Sequence, residues 1–122
     1  MDDTTPWPDA LTAKLREVAT AKRYDVEVSG TTWNGHGVAT DRESQTKLIA
    51  EMVAIGGGLR PDPSPWKFSD GFIMVSNAEM QAVIVAARTH IATAFAIEAL
   101  ALSGIDDGSI TTRAQIMALG WP

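Results

Sequence analysis

Hydrophobic positions change period several times along this chain, and each change marks an element. Leu11, Leu15 and Val18 recur at i, i+4 and i+7, which gives one apolar stripe with Lys14, Arg16 and Glu17 mostly off it. Pro8-Asp9-Ala10 suits the first turn of that helix, where proline lacks only an N–H that would go unpaired and the aspartate meets the positive dipole end. Lys22 and Arg23 fall in the last turn, where cations are favoured. Val26 and Val28 then alternate around Glu27, and Gly30-Thr31-Thr32 continues extended toward Trp33, a strand-like period. Asn34-Gly35 tolerates positive φ at both turn positions, so it predicts a hairpin with residues 36–39 as the return strand.

Thr40 stands three residues before Glu43, the spacing at which hydroxyl and carboxylate each satisfy a free backbone N–H; Asp41 can cap in its place. The helix that follows puts Leu48, Ile49, Met52 and Val53 on one face and stops at Gly56-Gly57-Gly58. Pro61, Pro63 and Pro65 make residues 59–65 a stiff, extended connection. Trp66-Lys67-Phe68 then pairs with residues 72–75 across Ser69-Asp70-Gly71, a second hairpin. Ser76 and Glu79 repeat the capping-box spacing and open the longest helix, expected to end near Ser103-Gly104. Asp106-Asp107-Gly108-Ser109 reads as a turn, and Thr111-Thr112-Arg113 starts a short helix bearing Ile116, Met117 and Leu119. The expected fold class is α+β: a small single domain of two short β-hairpins packed with a long helix in the C-terminal half and two to three shorter helices. Residues 1–24 form an N-terminal tail and helix, and residues 25–122 the α+β domain.

The long helix is unusual when plotted at about 100° per residue. Met80, Ile84, Ala87, Ile91, Phe95 and Leu102 share a face, yet Val85, Ile97 and Leu100 point elsewhere and alanines fill the gaps. A helix apolar beyond one stripe is usually covered on more than one side, and a small domain has few helices to supply that cover, so self-association is expected. Glu98 interrupts the apolar face and calls for a basic partner such as Arg88 or Arg113, or marks where the helix leaves the core.

Composition narrows the function. A chain of 122 residues with 45 % hydrophobic and 20 % charged residues can bury a core without staples. There is no cysteine, which excludes disulfides, thiolate zinc sites and cysteine nucleophiles and fits a reducing compartment. The net charge is −5 with no basic run, so no nucleic-acid or anionic-membrane partner is expected. Met1-Asp2-Asp3 does not read as a signal peptide, and Arg88, His90 and Glu98 make residues 80–102 read as too polar to cross a bilayer.

Candidate chemistry is sparse. Residues 33–44 gather His36, Asp41, Ser44 and two glycines, so a Ser-His-Asp arrangement can be drawn, but no nucleophile elbow accompanies it and a turn plus a helix cap account for the same residues. His36 and His90 are the only two histidines and lack metal-ligand spacing; Gly56-Gly57-Gly58 lacks the Lys-Ser/Thr of a phosphate loop. No enzyme activity, catalytic residue, metal or cofactor is expected. Of the four tryptophans, Trp33 and Trp66 flank hairpin turns, whereas Trp7 and Trp121 lie near the ends beside prolines. Those end indoles either fold back on the domain or anchor another subunit. Trp7, Ile97, Leu100 and Trp121 are therefore the candidate interaction residues.

The run from Ala21 through Tyr24-Asp25-Val26 to Gly30, then Val38-Ala39-Thr40-Asp41-Arg42-Glu43-Ser44-Gln45, resembles a family of uncharacterised domains found in bacteriophage and prophage tail and tail-fibre proteins. Trp66-Lys67-Phe68-Ser69-Asp70-Gly71, the long helix with His90 and Phe95, and Gly120-Trp121-Pro122 extend the likeness over residues 21–122. The resemblance implies a non-enzymatic tail-associated structural or assembly protein. Its partners would be other phage tail or fibre proteins and a homo-oligomer, in the virion or in host cytoplasm during assembly. The alternative is a small acidic phage accessory protein that binds and inhibits a host protein.

Overall fold

The structure is a computed structural model that describes the backbone from Trp7 and the side chains from Asp9 to Pro122. Its elements are α1 (Trp7–Glu27), β1 (Thr31–Trp33), β2 (His36–Val38), α2 (Arg42–Gly56), β3 (Ser64–Phe68), β4 (Gly71–Val75), α3 (Asn77–Asp107) and α4 (Arg113–Met117). The fold is α+β, with two antiparallel hairpins, β1-β2 and β3-β4, each a two-stranded sheet of its own. Packing divides the chain into two compact units, one joining the chain up to Val26 with Thr93–Pro122, the other spanning Glu27–Ala92.

The first unit closes around Leu15, Val18 and Ala19 of α1, Ala101 and Ile105 of α3, and Ile110 and Ile116. Helix α1 supplies this core from positions i, i+3 and i+4, and α3 from positions i and i+4. Within it Glu98 meets Arg23 at 2.8 Å, and Thr20 donates a 2.7 Å hydrogen bond to the same carboxylate. The partner is thus neither Arg88 nor Arg113, because the facing helix is α1. Arg23 also lies 4.4 Å above the Phe95 ring. Arg16 pairs with Asp106. Helix α3 runs on to Asp107 instead of stopping near Gly104. Gly104 serves a different purpose: a Cβ there would lie 2.6 Å from Ile110 Cδ1, so only glycine lets Ile110 fold back beneath the helix. Gln115 completes a reciprocal capping box with Thr112 at the start of α4.

The second unit packs Val38, Leu48, Phe68, Val75, Met80, Val83 and Ala87 together. Asn34 and Gly35 take positive φ, 49° and 78°, and Trp33 pairs with His36 across them. In the second hairpin Phe68 pairs with Gly71, so Ser69-Asp70 alone forms the turn. Ser76 and Glu79 form the expected reciprocal cap, at 2.8 and 3.0 Å. Arg60 is only 7 % exposed and fastens the proline-rich connection. It donates to Glu51, the Asn77 side chain and the Val75 and Ser64 carbonyls.

Two local expectations change. Val26 and Glu27 end α1 instead of starting a strand, because Val26 is buried and the Glu27 carboxylate, 2 % exposed, is held by Arg42 and Gln45. On α2, Ser44, Leu48, Glu51 and Ile55 turn toward the unit, so Ile49 and Val53 point outward, 65 % and 66 % exposed.

Candidate functional site

The stretch 33–44 is built by backbone needs. Asp41 caps α2, accepting from the Ser44 amide at 3.2 Å and from the Ser44 hydroxyl at 2.5 Å. Those bonds favour its ionised form and hold its pKa below the usual aspartate range, the Ser44 side chain contributing most. Thr40 is no cap. Its buried hydroxyl donates to the Glu27 carbonyl at 2.7 Å and accepts from the Gly30 amide at 2.9 Å, tying the end of α1 to the start of β1. His36 turns to Asp70 of the other hairpin at 2.9 Å, not to Asp41. That contact lowers the Asp70 pKa, chiefly through its hydrogen bond with His36. The three residues of a Ser-His-Asp arrangement therefore serve two separate contacts. Among the described residues no three His, Asp or Glu side chains converge on a metal-sized site.

The His36–Asp70 pair belongs to a seam between the hairpins. Trp33 stacks on Phe68 with centroids 5.9 Å apart and planes at 15°, and His36 lies 5.3 Å from the same ring. The Ser69 amide donates to the Gly37 carbonyl at 3.0 Å. A Cβ on Gly37 would fall 2.1 Å from Ser69 Oγ, so this close approach needs glycine. Beside the seam lies an open groove of about 870 Å³, to which β3 and β4 contribute Pro65, Trp66 and Phe72, and α2 contributes Lys47 and Glu51.

The candidate interaction residues separate. Trp121 packs on the core of the first unit and donates its indole N–H to the Ile116 carbonyl at 2.9 Å, so this end folds back. Ile97 is half-buried, while Leu100 is 58 % exposed. The Trp7 side chain lies outside the described residues. Sequence reasoning did not single out the outer face of α3. Ala78, Ala82, Val85, Thr89 and Ala92 follow one another at alternating intervals of four and three, and all are exposed. Ala96, Ala99 and Ser103 continue the same spacing, also exposed. Alanines read as filler between larger residues, which hid the stripe. The most apolar 18 residues of α3 have mean hydropathy 1.5 and are only 22 % buried, so by length and composition this helix can cross a bilayer. Hydropathy therefore does not support reading residues 80–102 as too polar to do so.

A family model described as a domain of unknown function (DUF4376) matches residues 10–119. Neither the curated proteins nor the solved structures contain a match to the chain.

Proposed function

The chain belongs to the family described as a domain of unknown function (DUF4376), and we propose that it is a non-enzymatic structural or assembly protein of a bacteriophage or prophage tail. It works through protein–protein contact, with the outer face of α3 meeting a second copy. The phage setting rests on the sequence resemblance. The mode of action rests on one observation, the exposed stripe from Ala78 to Ser103 at heptad spacing.

A solvent-facing helix surface ordinarily carries Lys, Glu or Gln. Here the stripe carries alanines with one valine, two threonine or serine hydroxyl side chains at Thr89 and Ser103, and no charge. The 4-3 alternation keeps such a seam facing a partner helix along its length, and small side chains let two backbones approach closely. Leu100 flanks the stripe and adds apolar contact.

Light scattering across micromolar to millimolar concentration tests the contact. The expected result is a dimer or larger oligomer that Ala92→Arg with Ala99→Arg converts to a monomer of unchanged helix content. A wild-type monomer throughout that range sinks the assembly reading. Co-sedimentation with purified tail particles tests the setting, and failure to sediment while still self-associating removes the tail role alone.

A further inference from the structure

We propose that the groove of the second unit binds a short, extended peptide in which an apolar residue is flanked by carboxylates. The proposal is independent of the α3 contact.

Charge is the first argument. In a chain of net charge −5, the groove is lined by Lys47 and Lys67 and by one carboxylate, Glu51. Glu51 is already answered, because the buried Arg60 guanidinium meets it at 3.0 Å. Among the described residues Lys47 reaches only Glu43, at 3.3 Å on the exposed helix surface, a pair worth little in water. Lys67 has no carboxylate partner among the described residues and lies 5.8 Å over the Phe72 ring. The groove thus carries cationic charge that its own walls leave unbalanced.

Hydrogen-bond inventory points the same way. Trp66 is half-buried in the lining, and its indole N–H meets no acceptor among the described residues. An indole can only donate, and so can an ammonium group. A ligand rich in acceptors satisfies such a surface, and one rich in donors does not.

Apolar bulk fixes the rest of the ligand. Trp66, on the core-facing side of β3, and Pro65 and Phe72, on the outer side of the hairpin, border the groove with apolar surface suited to a leucine or phenylalanine side chain. A volume of about 870 Å³ exceeds what one side chain fills and falls within the range of ligand sites.

The test uses a blocked tetrapeptide, Asp-Leu-Phe-Glu, titrated into the isotope-labelled full chain and followed by amide and indole NMR shifts. Saturable shifts at the Trp66 indole and the Gly30 and Gly37 amides are expected. Lys47→Glu with Lys67→Glu should weaken binding at least tenfold, and both side chains are exposed, so the fold survives. Lys14→Glu, on the other unit, should change nothing. The isosteric Asn-Leu-Phe-Gln peptide should bind at least tenfold more weakly. Equal binding of the two peptides, shifts confined elsewhere, or no saturation at millimolar peptide would each overturn the proposal.

Discussion

Asp41 holds the first turn of α2 through the Ser44 amide and hydroxyl, and its removal isolates a single contribution. Asp41→Ala is expected to lower the urea unfolding midpoint, whereas Asp41→Asn, an equally good cap, should leave it nearly unchanged. Asp70 answers to pH. Its folded pKa is lowered by His36, so the stability it adds is present above the ordinary aspartate value and is lost as pH falls through the lowered one. The difference in unfolding midpoint between wild type and Asp70→Asn should hold at neutral pH and vanish under strongly acidic conditions. A difference that persists unchanged at the acid end would refute that role. These residues also show what a sequence exposes. Asp41 was visible as an alternative cap because capping is local, but Thr40 looked like the better one. Its true partners, the Glu27 carbonyl and Gly30 amide, depend on where α1 ends.

Elements set by short-range chemistry were legible. Asn34-Gly35 selects its hairpin through backbone conformation alone, and Ser76 with Glu79 closes a cap within four residues. Boundaries set by distant partners were not. The last turn of α1 exists because Arg42 and Gln45 hold Glu27, although residues 26–28 alternate like a strand. Ile49 and Val53 turn outward because Leu48 and Ile55 face the unit together with the polar Glu51, which the buried Arg60 holds. Gly104 was misread as a stop when it is a point of close approach. Gly104→Ala should therefore destabilise the protein by about 1–3 kcal/mol despite alanine's better helix propensity. Calorimetry of Gly104→Ala alone and with Ile110→Ala separates the clash from propensity, since the second change should make the glycine replacement nearly harmless.

At the scale of the whole molecule, charge and apolar surface make opposite demands. The chain is acidic overall, so copies repel at long range, yet the outer stripe of α3 carries no charge to screen. Association through that stripe should hold or strengthen modestly as salt rises, and light scattering at low and half-molar salt measures it. Weakening by an order of magnitude would mean that ion pairs, not the alanine stripe, make the contact. The composition revealed excess apolar helix surface and points to larger residues, whereas the contact proposed above uses the alanine stripe. Trp121 shows why: an end indole is equally useful for closing its own core, and here its N–H finds the Ile116 carbonyl.

The Trp33–Phe68 stack has a practical corollary, since one ring comes from each hairpin and they lie nearly parallel at 5.9 Å. Such a pair gives the native chain its own optical gauge: parting the hairpins should alter the near-ultraviolet dichroism before helix content falls, with no dye attached.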